Sequence, residues 1–211
     1  MAFGDSITAG EVTVPVTRAD QDERSMPTVL VPSAAYPSVL ADLLRASYPK
    51  QADAIEVFNE GRPAEAVMNA MPRFRDAFDA HHPDVVLLME GYNDVCCGGQ
   101  AAGQNAAAAL GAIADEARRR GARVFIATLA PSKPGFRAGS ADALFAFNDS
   151  LPLLAAGGRD VLVDVFSQVQ PEIDRNIGVD GLHPTEIGYR RIAQAFYFAI
   201  KATLEVTEST P

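Results

Sequence analysis

The sequence predicts an α/β fold with three layers, in which helices cover both faces of a mostly parallel, five-stranded sheet. Short apolar runs recur along the chain at residues 1–3, 55–58, 84–89, 123–129 and 161–165. Because these runs stay apolar instead of alternating with polar residues, they are typical of parallel strands that are buried on both faces. Helical segments separate the runs, and this alternation of strand and helix favours an α/β/α domain.

Helices are predicted between the strands and after the last one, at residues 38–47, 63–80, 101–120, 141–154 and 186–204. Pro63 suits a first helical turn, and Thr185 suits an N-cap because its side chain can accept a backbone N–H bond. Gly121 follows three arginines and is typical of a helix end, where cations interact favourably with the helix dipole. Ile192 and Phe196 share one face of the last helix, which predicts that this helix packs on the sheet.

A chain of 211 residues is long enough to bury the core of one domain without disulfides or metals. We predict that residues 1–204 form this domain and that residues 205–211 are a polar tail. The segment 11–35 breaks the rhythm of strands and helices, and its length predicts small elements of its own or one wall of a substrate pocket. The apolar residues of this segment slightly favour a substrate with an apolar acyl or alkyl group: Val12, Val14, Val16, Val29, Leu30 and Val31.

The composition excludes several classes of protein. The net charge is −9, and the arginines at 118–120 are the longest basic run. Nucleic acids and anionic membrane surfaces bind clustered cations, so neither is expected as the main partner. We see no transmembrane run and no secretion signal. Localisation stays open, because a signal could precede a first motif that starts at residue 4. The oligomeric state also stays open.

Two segments hold the residue types that nucleophilic catalysis requires. The chain reads Gly-Asp-Ser-Ile-Thr at residues 4–8 and Asp-Gly-Leu-His-Pro at residues 180–184. A serine hydroxyl becomes a nucleophile when an imidazole takes its proton and a carboxylate orients that imidazole. Either segment alone is weak, because Gly-Asp-Ser is usually a turn and Asp-x-x-His is usually a capping or surface pair. Together they predict a catalytic site.

Two further loops carry polar residues at the ends of predicted strands. Asn-Glu-Gly at residues 59–61 follows the second strand, and Glu-Gly-Tyr-Asn-Asp at residues 90–94 follows the third. Open parallel sheets bind ligands at the carboxyl ends of their strands. We therefore expect both loops to lie beside the Gly-Asp-Ser turn and the Asp-x-x-His loop at one edge of the sheet.

These four segments resemble, in order and over nearly the whole chain, the blocks of the GDSL/SGNH hydrolase family. The resemblance implies a flavodoxin-like SGNH hydrolase fold, with Ser6 as nucleophile, His183 as general base and Asp180 as the carboxylate that orients His183. It also implies an oxyanion hole made by the backbone N–H groups of Ser6 and Gly61 and by the side-chain amide of Asn93. The second block departs from the family's frequent Gly-x-Ser-Gly, since this chain has Gly-Arg-Pro-Ala at residues 61–64.

The activity implied by this resemblance is hydrolysis of a small-molecule carboxylic ester through an acyl-enzyme, with no metal or cofactor. The family includes lysophospholipases, thioesterases, carbohydrate O-acetylesterases and arylesterases, so the substrate stays open. Two alternatives also stay open. One is a binding module without activity. The other is a metal-dependent phosphoester hydrolase, a poorer account because its ligands, Asp5, Asp94, Asp180 and His183, leave Ser6 and Asn93 without a role.

Other reactive residues receive structural interpretations. Asp5 and Asp94 are expected to hold loops through hydrogen bonds to the backbone. The adjacent Cys96 and Cys97 can form only a strained bridge and lack a basic neighbour, so we expect small packing residues near the site. His81 and His82 precede a proline between a helix and a strand, where a connecting role is expected.

Overall fold

The computed structural model describes residues 1–14 and 27–206. These residues contain strands β1 (Ala2–Gly4), β2 (Glu11–Thr13), β3 (Thr28–Leu30), β4 (Asn59–Gly61), β5 (Val85–Met89), β6 (Arg123–Ala127) and β7 (Val161–Val163). The α-helices are α1 (Ser6–Ala9), α2 (Tyr36–Ser47), α3 (Met71–His81), α4 (Tyr92–Val95), α5 (Gln100–Arg119), α6 (Ala141–Gly158), α7 (Val165–Val169), α8 (Ile173–Asn176) and α9 (Glu186–Leu204). Short 3-10 helices lie at residues 52–54, 67–69 and 170–172.

The central sheet has five parallel strands in the order β4-β1-β5-β6-β7, which confirms the predicted fold class. From β1 the chain continues to β4 on one side of β1 and then crosses to β5 on the other side. The strand order therefore reverses between β1 and β5. Such a reversal opens a crevice at the carboxyl ends of the two strands, where α/β proteins bind ligands. Ser6 directly follows β1, and Asn93 follows β5, so both flank this crevice.

Helices pack in two groups on the sheet. One group contains α3, α5 and α6, and the other contains α2, α7 and α9. Phe3 of β1 meets Phe74 of α3 edge-to-face, with ring centroids 5.2 Å apart, and Tyr36 of α2 stacks on Phe196 of α9. All four rings are fully buried, and their burial contributes about 2 kcal/mol or more per side chain. No helix in the described ranges is both long and apolar enough to span a membrane.

Two predicted elements are wrong in position. The second strand of the sheet is β4 at residues 59–61, not 55–58, because the register sets Asn59 opposite Ala2 and leaves the preceding residues beyond the end of β1. The helix predicted at 63–80 begins at Met71, with Pro72 in its first turn. Ala64 has a left-handed backbone (φ 60°), which a helix cannot continue through.

Other boundaries agree closely. The helix 186–204 is confirmed at both ends, and Thr185 caps it by accepting the N–H of Gly188. The predicted strands 123–129 and 161–165 each end two residues early. The expected small elements of the segment 11–35 exist as β2 and β3, an antiparallel pair. Residues 15–26, which include Val16, and residues 207–211 of the predicted tail lie outside the described residues.

Candidate active site

The nucleophile candidate Ser6 sits at the start of α1, separated by one residue from the end of β1. The carboxylate of Asp5 caps this short helix, accepting the N–H of Ile7 at 3.0 Å and the N–H of Tyr92 at 3.3 Å. Gly4 allows the turn to be this tight, since a Cβ there would lie 2.1 Å from the carbonyl oxygen of Met89. The strand and its cap therefore fix the backbone of Ser6.

Ser6, His183 and Asp180 form an unbroken chain of hydrogen bonds. Ser6 Oγ lies 3.0 Å from His183 Nε2, and His183 Nδ1 lies 2.6 Å from Asp180 Oδ2. The other carboxylate oxygen of Asp180 accepts the backbone N–H groups of Leu182 and His183, each at 3.0 Å. Thr13 donates its hydroxyl to Asp180 Oδ2 at 2.5 Å. The structure thus brings together the three residues that the two distant motifs supply.

The surroundings of Asp180 keep it ionised. Burial opposes the charge, but hydrogen bonds from His183, from Thr13 and from the Leu182 amide outweigh it and lower the pKa of Asp180 to about 2. An ionised Asp180 holds a His183 proton on Nδ1, and in the neutral imidazole the lone pair of Nε2 then faces the Ser6 hydroxyl. This is the tautomer that a general base requires.

The Asp180–His183 loop is clamped by a segment with no recognisable motif. Arg137 donates its backbone N–H to the carbonyl of Asp180 at 2.9 Å, and Lys133 donates to that of Gly181 at 3.0 Å. Gly181 has a left-handed backbone (φ 86°), and a Cβ there would lie 2.4 Å from the Lys133 carbonyl. In the same segment, a Cβ on Gly135 would lie 2.3 Å from the carbonyl oxygen of Asp180, so this close approach requires a glycine.

The other two residues assigned to the oxyanion hole, Gly61 and Asn93, lie at the ends of β4 and β5, the strands that flank β1. Asn93 is exposed on α4, and one N–H of its amide donates to the carbonyl of Glu65 at 2.8 Å. The N–H of Gly61 already donates to Asn59 Oδ1 at 2.9 Å. Gly61 also packs so closely on α1 that a Cβ would lie 2.0 Å from the backbone nitrogen of Ala9. A glycine at 61 is therefore required for packing.

Arg73 of α3 contacts the loops at the ends of three neighbouring strands. Its guanidinium donates to the carbonyl oxygens of Gly4 at 3.3 Å and of Glu60 at 2.9 Å. It also pairs with the carboxylate of Glu65, with Nε at 2.9 and 2.7 Å from the two oxygens, and lies 3.9 Å from that of Glu90. One side chain thus connects the ends of β1, β4 and β5. We call Arg73, Glu65 and Glu90 the Arg73 cluster.

Two buried acids, Glu90 of this cluster and the neighbouring Asp5, are hard to ionise. Burial, and to a smaller extent the nearby Asp5, raise the pKa of Glu90 to about 10. Burial likewise raises the pKa of Asp5 to about 6, against the opposing effect of its backbone hydrogen bonds. Glu90 is therefore protonated at neutral pH. Within residues 1–14 and 27–206, its carboxyl oxygens have no hydrogen-bond partner.

The other residues singled out from the sequence have these positions in the structure. Asp94 accepts the N–H groups of Val67 and Met68, which with the contacts of Asp5 confirms that both acids hold loops. The prediction that Cys96 and Cys97 are packing residues is wrong, because the chain turns outward after α4 and exposes both.

His82 makes the connection after α3 with a left-handed backbone, as a connecting role implies. In the part of the chain that the structure describes, no group of three or more His, Cys, Asp or Glu could hold a metal ion.

Several known structures share this fold. The M. smegmatis aryl esterase is 22% identical, with a TM-score of 0.75 and coverage of 96% of this chain and 98% of its own. A lipase/acylhydrolase from Enterococcus faecalis is 22% identical, with a TM-score of 0.70 and coverage of 99% and 97%. A mutant of the acetyl-xylooligosaccharide esterase from Geobacillus stearmophilus is 20% identical, with a TM-score of 0.72 and coverage of 99% and 95%.

Family assignment rests on the sequence itself. Among curated proteins, no sequence matches the chain significantly. A family model, the GDSL-like Lipase/Acylhydrolase family, matches residues 2–191, which is most of the chain and contains all four segments described above. The chain therefore belongs to the GDSL-like lipase/acylhydrolase family and is an ester-hydrolysing enzyme.

Proposed function

We propose that this enzyme cleaves carboxylic esters through an acyl-enzyme formed on Ser6. The observation that carries the proposal is the hydrogen-bond chain from Ser6 Oγ through His183 to an ionised Asp180. All three side chains are buried, so their mutual orientation is set by packing and by the backbone bonds of Asp180. A preorganised base of this kind is what serine hydrolysis requires.

Each chemical step uses the same imidazole nitrogen. Ser6 Oγ forms a bond to the acyl carbon while its proton passes to His183 Nε2. The tetrahedral intermediate collapses, the bond from carbon to the alcohol oxygen breaks, and that oxygen takes the proton from Nε2. Water then gives a proton to Nε2 and attacks the acyl carbon. The proton returns to Ser6 Oγ as the acid leaves.

Charge on the acyl oxygen is stabilised by donors opposite the imidazole. Asn93 is suited to this role because only one N–H of its amide is used by Glu65, which leaves the second free for the oxyanion. The backbone N–H of Ser6, at the start of α1, is the second proposed donor. Gly61 remains the third proposed donor, and it would have to exchange its bond to Asn59 for the oxyanion.

Small acyl esters are the proposed substrate class. One protein of similar structure is an acetyl-xylooligosaccharide esterase, which supports a short acyl group for this chain. A series of 4-nitrophenyl esters with acyl chains of two to twelve carbons tests this directly. We expect kcat/KM to be highest for acetate or butyrate. A maximum at eight carbons or more would favour a lipase instead.

The test of the nucleophile is hydrolysis of 4-nitrophenyl acetate by Ser6→Ala. We expect turnover to fall to background, while the thermal unfolding midpoint stays within a few degrees of that of the wild type. Ser167→Ala is the matched control, because Ser167 is exposed on α7 beside the far edge strand. Full activity in Ser6→Ala would remove Ser6 as nucleophile, and activity abolished by EDTA in the wild type would favour the metal-dependent alternative.

A further inference from the structure

The strand β2 lines the candidate triad with two polar side chains. Glu11 Oε2 lies 3.2 Å from His183 Nε2, and Thr13 donates to Asp180 Oδ2 at 2.5 Å. Residues two positions apart in a strand share a face. One face of β2 therefore runs along the imidazole, from the nitrogen that faces Ser6 to the carboxylate that orients the ring. Thr13 supports the acid–base pair, whereas Glu11 lies where the substrate must enter.

The position of Glu11 is fixed by its backbone. Its carbonyl oxygen accepts a hydrogen bond at 2.6 Å from the hydroxyl of Tyr189, a fully buried residue of α9. Leu30 of β3 pairs with it across the small sheet. The Glu11 side chain is 16% exposed, so the carboxylate is mostly enclosed by protein yet open to a ligand in the crevice.

When His183 acts as the proposed general base, it gives Glu11 no hydrogen bond. In that role the ring is neutral, Asp180 accepts the Nδ1 proton, and Nε2 carries a lone pair, which cannot donate to a carboxylate. Among the residues described, no Lys or Arg nitrogen lies within 4 Å of the Glu11 carboxylate, and His183 Nε2 is the one ring nitrogen that does. A partly enclosed carboxylate without a protein donor is stabilised by any ligand that supplies one.

The chemistry places the alcohol part of the ester beside this carboxylate. The leaving oxygen must come within about 3 Å of Nε2 to receive its proton. Since Nε2 is 3.2 Å from Glu11 Oε2, a hydroxyl on the neighbouring carbon of the alcohol falls within hydrogen-bond distance of Glu11. A negatively charged group at the same place would meet a carboxylate and be repelled.

We propose that Glu11 determines the alcohol specificity of the enzyme. It selects esters whose alcohol carries a free hydroxyl next to the ester, as in polyols and sugars, and it rejects anionic alcohols. This inference rests on the proposed function, because it needs His183 to protonate the leaving alcohol. It narrows the substrate class to acyl esters of polyhydroxy alcohols and disfavours esters with a phosphate next to the scissile bond.

Three acetate esters that differ in one group test the proposal. 2-Hydroxyethyl acetate carries the donor, 2-methoxyethyl acetate replaces that hydrogen by a methyl group, and acetoxyacetate places a carboxylate nearby. For the wild type we expect kcat/KM to be about tenfold or more higher for the hydroxyethyl than for the methoxyethyl ester, as for a hydrogen bond to a charged group. We expect acetoxyacetate to be the poorest of the three.

Two substitutions and one control assign the preference to Glu11. In Glu11→Leu, the ratio of kcat/KM for the hydroxyethyl ester to kcat/KM for the methoxyethyl ester should fall to about one. In Glu11→Gln, which keeps an acceptor but no charge, this ratio should fall to a few-fold. The kcat/KM for acetoxyacetate should rise relative to that for the methoxyethyl ester. Glu56→Gln should keep the wild-type ratios, because Glu56 is exposed before β4, at the amino end of the sheet.

The ratios are internal to each protein, so they do not depend on how much of a variant folds. A wild-type ratio near one, or a ratio unchanged in Glu11→Gln, would overturn the proposal. Those results, with hydrolysis still lost in Ser6→Ala, would leave the proposed function intact. Hydrolysis retained in Ser6→Ala would instead overturn the proposed function itself.

Discussion

The two sides of Ser6 are positioned by different physical means. On the acid–base side, His183 and Asp180 are 2% and 0% exposed, and short hydrogen bonds fix the ring and its carboxylate. On the proposed oxyanion side, Asn93 is exposed, its amide donates to the carbonyl of Glu65, and Glu65 is held by its ion pair with Arg73. The acid–base side thus depends on several hydrogen bonds between buried groups, whereas the side of Asn93 depends on the ion pair between Arg73 and Glu65.

The largest expected effect comes from removing the base. His183→Ala leaves Ser6 without a proton acceptor, so we expect kcat for 4-nitrophenyl acetate to fall about 10⁶-fold, as in other serine hydrolases. His82→Ala is the control, because His82 lies at the end of α3, away from the site. Steady-state kinetics on purified proteins provide the measurement, and a loss below tenfold would show that His183 is not the base.

Removing a donor on the oxyanion side should cost less. Asn93→Ala is expected to lower kcat by about 10²- to 10³-fold, because the amide acts mainly on the charged intermediate. KM should change little, which separates this role from substrate binding. Asn105→Ala serves as the control, since Asn105 is exposed on α5. A change of less than about threefold in kcat would place Asn93 outside the oxyanion hole.

Breaking the Arg73 cluster should reduce stability. Arg73→Gln leaves the carboxylate of Glu65, whose side chain is 9% exposed, with only the exposed Arg62 at 3.8 Å. We expect the free energy of unfolding to fall by about 3 kcal/mol, as when one member of a buried ion pair is removed. Arg75→Gln, on the same helix but half exposed, should cost less than about 1 kcal/mol. Urea unfolding followed by circular dichroism compares the two, and equal losses would contradict a special role for Arg73.

The smallest effect is a change in pH dependence. The pKa of Glu90 is raised by burial to about 10, so the folded state keeps a proton that the unfolded state releases above its ordinary pKa near 4.5. This stabilisation is complete below pH 4.5 and is lost as the pH rises through about 10. Within that range the free energy of unfolding falls by at most about 1.4 kcal/mol per pH unit.

Glu90→Gln removes this contribution, so its free energy of unfolding should fall less between pH 7 and pH 9 than that of the wild type. Other titrating groups are common to both proteins and cancel in the comparison. Urea unfolding at the two pH values gives the difference. Parallel losses in the two proteins would mean that Glu90 is not held protonated in the folded state.

The two sides also differ in how far the sequence predicted them. Ser6, His183 and Asp180 lie in short motifs at strand ends, and the order of the strands suffices to bring them to one crevice. Thr13 and Glu11 could not be predicted, because β2 is three residues long and its side chains meet the triad only through tertiary packing. Arg73 is an ordinary helical arginine in the sequence, and its importance arises from burial.

The errors in the predicted positions of strands and helices have similar causes. The strand near residue 55 was predicted from apolar residues, but strand boundaries follow the register with β1, which a single sequence does not contain. The helices α1, α4, α7 and α8 have only four or five residues, too few for a helical period. The predicted start of α3 failed because the left-handed backbone of Ala64 depends on the surrounding loop.

Reaction with a fluorophosphonate tests the central claim most directly, because it requires an activated serine and no choice of ester. Intact mass spectrometry and peptide mapping of the treated protein should show one adduct, on Ser6. The adduct should be absent in Ser6→Ala and strongly slowed in His183→Ala, whereas Ser167→Ala should react at the wild-type rate. An adduct on another residue, or rapid labelling of Ser6 without His183, would contradict the assignment of Ser6 and His183 as nucleophile and base.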